Sequence, residues 1–129
     1  MKDVIVGING SLVAIDPSTG KTRWKVVLSS AGLVSFAFVA DLVIASSTDN
    51  SLVAVDRNTG TERFRVRTSE HGKATLLVAG EQLFVAKAGV LECFGLDGTR
   101  RWKEGFPGMG NFSVSLGCGD QVVQADERD

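Results

Sequence analysis

Histidine occurs once in the 129 residues and cysteine twice, so the side chains that most often carry metal or acid–base chemistry are scarce. His71 stands in the polar segment Ser69-Glu70-His71-Gly72-Lys73 with no second histidine anywhere in the chain, and it reads as a solvated loop residue rather than a ligand or base. Cys93 and Cys118 have no metal-ligand spacing and allow at most one bridge, which argues against a disulfide framework. Cys93 alternates with core positions and reads as a small apolar group, whereas Cys118, between two glycines, reads as the more exposed thiol. An excess of charge of one sign is also missing. Fourteen basic against 15 acidic residues leave a net charge of −1, with no long-range pull toward nucleic acid or an anionic membrane. No apolar run approaches the roughly 18 residues of a membrane span. No signal-peptide core precedes the strand-like start Met1-Lys2-Asp3-Val4, so the expectation is a cytoplasmic protein, where the sequon Asn111-Phe112-Ser113 carries no meaning. There is no nucleophile–base pair, no phosphate-cradling Gly-x-x-x-x-Gly-Lys and no metal spacing, so no catalytic residue, metal ligand or cofactor is assigned. A helical 3.6-residue stripe of useful length is lacking too. What remains, 43% hydrophobic and 22% charged residues in one domain's length, is the composition of a folded chain.

What is present is a repeat. Ala14-Ile15-Asp16-Pro17-Ser18-Thr19-Gly20-Lys21-Thr22-Arg23-Trp24 returns as Ala54-Val55-Asp56-Arg57-Asn58-Thr59-Gly60-Thr61-Glu62-Arg63-Phe64. A degenerate third copy runs from Glu92 to Trp102, with Glu92, Phe94 and Asp97 at the places of the other signature residues and Gly98 and Trp102 retained. Asp41, Glu81 and Asp120, each closing an apolar run, mark the same period of about 40 residues. Such a period denotes supersecondary units that bury their apolar faces only by stacking on one another.

Within each unit, valine-rich period-2 alternation and Gly/Asn/Asp punctuation predict four short antiparallel strands. In the second unit these are 33–40, 42–46, 51–55 and 62–67, and in the third 74–79, 82–86, 90–94 and 100–103. Four antiparallel strands per repeat form a β-propeller blade. The turn aspartates accept backbone N–H groups, and the glycine four residues on supplies a left-handed conformation at little steric cost. On the fourth strands Arg23, Lys25, Arg63, Arg65 and Arg67 alternate with Trp24, Val26, Phe64 and Val66, which reads as a charged outer edge guarded against edge-to-edge pairing rather than as a nucleic-acid patch.

The pattern Ala-x-Asp-x-x-Thr-Gly-x-x-x-Trp resembles the repeat of the quinoprotein-like, pyrroloquinoline-quinone-type β-propeller family. The first copy carries it at Ala14, Asp16, Thr19, Gly20 and Trp24, and the second at Ala54, Asp56, Thr59, Gly60 and Phe64. The resemblance implies that the aromatic of one blade docks against the alanine and turn of the next, a role for Trp24, Phe64 and Trp102. Enzymatic members of that family hold the quinone in a funnel with calcium, a catalytic aspartate and often a vicinal disulfide. No residue of this chain matches those positions, so the resemblance implies the fold and not the chemistry.

Counting strands gives an all-β half-propeller. Residues 1–32 form an incomplete blade, 33–72 and 73–110 two full blades, and 111–129 a lone first strand, over 111–117, followed by a tail. Residues 121–125 have the pattern of one further strand, in the same slot as Val4–Gly7. Three blades do not close a ring, since propellers use roughly four to eight. The expectation is a six-bladed ring of two copies, each lending its terminal strand to the other's incomplete blade. Completion by a different polypeptide is the other way to cover the open faces. The loops gathered on one face of that ring contain Asn9, Asp49, Asn50, Glu70, His71, Lys73, Phe106, Met109 and Asn111. Loops on a rigid scaffold are where function concentrates. The expected role is a non-catalytic binding or scaffolding module for a protein partner, and the rival is a redox protein with a quinone or small molecule in the central channel.

Overall fold

The computed structural model describes residues 2–125, and among these every regular element is a β-strand. β1 (Val4–Ile8), β2 (Ser11–Ile15) and β3 (Thr22–Val27) form a three-stranded antiparallel sheet. β4 (Val34–Val39), β5 (Leu42–Ser47), β6 (Ser51–Asp56) and β7 (Glu62–Arg67) form a second sheet in chain order. β8 (Thr75–Ala79), β9 (Gln82–Lys87), β10 (Val90–Gly95) and β11 (Arg100–Gly105) form a third, and β12 (Leu116–Cys118) pairs with β13 (Gln121–Val123) in a short hairpin. The strands of the two full blades match the expected ones to within a residue or two. The lone strand expected over 111–117 shrinks to Leu116–Cys118, because Phe106 to Ser115 run as an irregular, largely exposed loop. Its second-strand slot is filled by this chain's own Gln121–Val123. The remainder of the tail, residues 126–129, lies outside the described residues.

Local chemistry explains the hairpins. Asn9 and Gly10 both take positive φ (43° and 76°), the two-residue turn whose twist suits flanking strands. In the β2–β3 turn Asp16 N donates to Lys21 O and Gly20 N to Asp16 O, while the Asp16 carboxylate accepts the Ser18 N–H at 2.8 Å. The β6–β7 turn repeats this, with Asp56 N to Thr61 O, Gly60 N to Asp56 O and Asn58 N to the Asp56 carboxylate. Those backbone donors, Asn58 first, hold the Asp56 carboxyl below its ordinary pKa. The third turn is one residue tighter, closed by Gly95 N on Thr99 O. An ungapped alignment of the repeats puts Glu92 at the alanine position. The register instead sets Cys93 opposite Trp102, as Ala14 faces Trp24 and Ala54 faces Phe64.

The sheets stack like blades. β1 lies beside β4, β4 beside β8, and β12 and β13 beside β8, so the first strands gather on the inside. Ile5, Leu12 and Ala14 of the first sheet pack on Val43, Ala45, Val53 and Val55 of the second. The opposite side of the second sheet, Ile44, Leu52 and Ala54, packs on Leu76, Leu83, Val85 and Phe94 of the third. Covering both faces explains why Val43, Ile44 and Ala45 are all buried in succession, where a one-sided sheet would alternate. The outer face of the first sheet has no such cover. Val4, Ile8 and Val27 there are 51%, 56% and 56% exposed.

Candidate functional site

The β1–β2, β5–β6 and β9–β10 turns meet the loops that lead from one blade to the next, which places both sets at one end of the blades. Gly10 N donates to Gly32 O at 2.8 Å, and Ser29 N to Gly10 O at 3.1 Å. In the next blade Gly72 N donates to Thr48 O at 2.7 Å and Thr68 N to Asn50 O at 2.8 Å. In the third, Gly89 approaches Gly110 so closely that a Cβ at 89 would lie 2.5 Å from the Gly110 carbonyl oxygen. Each of the nine loop residues singled out from the sequence belongs to one of these turns or loops, but they are not equivalent. Asn9 accepts the Gly32 N–H through its side chain, and Asp49 accepts the Ser51 N–H. Glu70 uses its carbonyl to accept the Thr68 hydroxyl. These groups are spent on holding loops in place. His71, Met109 and Asn111 are exposed.

Two buried charges fasten the face to the blades. Lys87, at the end of β9 and 2% exposed, donates from Nζ to the carbonyl oxygens of Ser47 (2.7 Å) and Asp49 (2.5 Å) in the preceding blade. Burial drives its pKa down to about 8, with the Asp49 and Glu92 carboxylates acting the other way. Asp49 is itself held below its usual value: burial opposes ionisation, but the Ser51 hydrogen bonds and the Lys87 charge outweigh it. Glu92 on β10, 2% exposed, accepts the Ser69 N–H and hydroxyl at 2.8 and 3.2 Å and pairs with Arg100 at 3.1 Å. A polar residue within the apolar run Val90-Leu91-Glu92-Cys93-Phe94 was the sequence signal for such an anchor. Arg65 also departs from a freely solvated edge charge. Its guanidinium donates to Val27 O and Leu28 O of the preceding blade and to Glu62 of its own strand. Arg23 pairs with Asp3 at 3.2 Å.

The loop from Phe106 to Asn111 and its continuation at Phe112 carry the apolar surface of this end. Met109 is 76% and Phe112 71% exposed, and with Phe106, Gly89 and Val114 they border an apolar cleft of about 330 Å³. A second cleft of about 350 Å³ lies between the innermost strands β4 and β8, bordered by Ser35, Phe36, Lys73, Thr75 and Val123. Among the described residues no group of three or more His, Cys, Asp or Glu is placed to hold a metal ion. Cys93 is buried, which raises its thiol pKa, and Cys118 is exposed; both are free.

Two of the three repeat aromatics, Trp24 and Phe64, also make contacts between blades. Trp24 lies over Gly60 of the next turn and donates its indole N–H to Arg57 O at 3.3 Å. Phe64 lies over Gly98 in the same way, where an added Cβ would come within 2.8 Å of the ring. Trp102 is 43% exposed and meets Phe84 of its own sheet, ring centroids 6.0 Å apart. At the other end of the chain, nothing lies within 4 Å of a Cβ built on Gly20. Thr19 and Thr59 each brace their turn by accepting an N–H, from Lys21 and Thr61 respectively.

A family model described as outer membrane protein assembly factor BamB matches residues 8–127. Among solved structures, the crystal structure of BamB from Moraxella catarrhalis superposes with a TM-score of 0.73 at 21% identity, over 91% of this chain and 38% of that one. No curated protein matches the chain.

Proposed function

Because the chain belongs to the family of the outer membrane protein assembly factor BamB, built of quinoprotein-like β-propeller repeats, we propose that it is a non-catalytic binding module that presents the 106–112 loop to a protein partner. One observation carries this reading. A rigid end, pinned by Lys87 and Glu92, holds out two almost bare apolar side chains, Met109 and Phe112, beside an apolar cleft. Exposed apolar groups rimmed by polar loops mark protein-interaction sites, and a methionine in a glycine-rich loop adapts to its partner's shape. The description of the family, an assembly factor, fits a scaffold of this kind.

The ring in which the loop works is six-bladed and made of two copies, which covers the exposed outer face of the first sheet. In that ring β1 of one copy takes the place of the other's β13, a three-residue strand whose Gln121 and Val122 are exposed and so stabilise little. The rival reading, a quinone or small molecule in the channel, draws on the cleft between β4 and β8.

The test is affinity capture with the tagged chain and with Phe106→Ser, Met109→Ser and Phe112→Ser combined, in the native host. A partner held by the wild-type chain and lost by the folded variant is the expected result. A partner held equally by both overturns the loop reading. Absorbance of a quinone in the visible, in protein purified from that host, overturns the non-catalytic one.

A further inference from the structure

Among the described residues sulfur occurs at Cys93, Met109 and Cys118. Cys93 is buried, and Cys118 closes β12 at its turn, away from the 106–112 loop. Met109 lies within that loop and is 76% exposed, so its thioether stands in solvent. The local chain keeps it there. The Met109 N–H donates to Phe106 O at 3.1 Å, closing a turn over Pro107 and Gly108. Gly108 and Gly110 on either side take positive φ (81° and 83°) and carry no side chain to shield the sulfur. Gly110 in turn rests on Gly89 of the same blade's β9–β10 turn, and the ring of Phe112 lies 3.0 Å from where a Cβ on Gly110 would be. Met109 and Phe112 border the same apolar cleft.

We propose that Met109 is an oxidation switch for the loop face: a peroxide converts its thioether to the sulfoxide, and the face then releases its partner. The proposal rests on the loop reading and adds the regulation of that same site. In the step, a sulfur lone pair attacks one peroxide oxygen, and the S–O bond forms as the O–O bond breaks. Sulfur is oxidised by two electrons. The departing hydroxide takes the proton of the transferred oxygen and leaves as water. The product side chain is polar and chiral where the thioether was apolar and adaptable. A partner that covers Met109 and Phe112 together then has to bury a sulfoxide oxygen in an apolar contact, where the side chains of Phe106, Phe112 and Val114 offer it no hydrogen-bond donor. The fold is spared, because Met109 belongs to neither of the apolar clusters that join the blades. The change is reversible, since methionine sulfoxide reductases return the thioether.

The test uses the full chain carrying Cys118→Ser, since that exposed thiol also oxidises. Hydrogen peroxide is the probe, and mass spectrometry follows the gain of one oxygen on the loop peptide. Met109 should oxidise within about fivefold of the rate of free methionine, as an open thioether does. A slower rate overturns the switch. Capture of the partner from native-host extract is then compared for the reduced chain, the oxidised chain, the oxidised chain treated with methionine sulfoxide reductases, Met109→Leu and Met109→Gln. Circular dichroism shows that each form remains folded. The oxidised chain should hold at least about fivefold less partner, the loss set by burying an unpaired polar group, and the reductases should restore it. Met109→Leu should hold the partner before and after peroxide, and Met109→Gln should hold it weakly with no oxidant. An oxidised chain that holds the partner as well as the reduced one, or a Met109→Leu chain that loses it equally on peroxide treatment, overturns the switch and leaves the loop reading standing. A reduced chain that holds no partner, or a partner that Phe112→Ser holds as tightly as the unsubstituted loop, overturns the loop reading and the switch with it.

Discussion

The indole of Trp24 covers Gly60 so closely that a single carbon added at Gly60 would lie 2.7 Å from the ring. That is inside van der Waals contact, so the glycine is required twice, for its positive φ and for the room it leaves. Trp24→Ala removes the ring from both the turn and the cluster around Leu12 and Val53 and should destabilise the fold by about 3 kcal/mol. Trp24→Phe forfeits only the hydrogen bond to Arg57 O and should cost about 1 kcal/mol. Urea denaturation of the two variants reads the difference directly.

Lys87 gives the stability a pH dependence. Its pKa is about 8 in the folded chain against an ordinary 10.5, so between those values the unfolded chain binds more protons than the folded one, and stability rises with pH across the window. Lys87→Met should abolish that rise. It should also cost about 2 kcal/mol at neutral pH, because the carbonyls of Ser47 and Asp49 lose their donor. Unfolding curves of both proteins between pH 7.5 and 10.5 decide the matter.

Arg65 and Arg63 are neighbours in sequence pattern but not in role. Arg65→Ala breaks the bonds to Val27 O and Leu28 O and should lower stability by about 1 kcal/mol, a modest loss because the side chain is partly solvated. Arg63, exposed on the same strand, should change stability by less than about 0.5 kcal/mol when replaced by alanine. Equal effects from the two would contradict the clamp assigned to Arg65.

Ala40 takes a positive φ of 50° at the turn where the other repeats have Gly80 and Gly119. Ala40→Gly should therefore gain up to about 1 kcal/mol, the relief of left-handed strain less glycine's greater entropy loss. Thermal unfolding would show this as a higher midpoint.

The blades were legible from the sequence because their determinants are local. Period-2 alternation, the Asp16 and Asp56 turns and the pairs Asn9-Gly10 and Thr19-Gly20 act within a few residues of each other. Beyond the aromatic docking that the resemblance implied, seen at Trp24 and Phe64, contacts across blades were not legible. Arg65 and Arg67 alternate identically with apolar neighbours, and only the stacking of sheets decides that Arg65 reaches a carbonyl of the preceding blade. Lys87 lies one residue past the expected strand 82–86, and nothing marked it as an anchor, because a backbone acceptor 38 or 40 residues away leaves no trace in composition. The one-residue shortening of the third turn hid Cys93 behind Glu92, since the glycine and tryptophan spacing matched without a gap. The apolar loop was visible as Phe106 and Met109, but Phe112 lay inside an expected strand that shrank to Leu116–Cys118.

Where the partner touches the ring is the most direct test of the loop-face reading. A photo-crosslinking benzoylphenylalanine at Phe112, with the same residue at Arg63 on the outer edge as the control, reports contact at each place in the living host. The prediction is one discrete adduct of higher mass from Phe112 and none from Arg63. Adducts from Arg63 alone, or no protein adduct from Phe112 under conditions where the chain is folded, would contradict it.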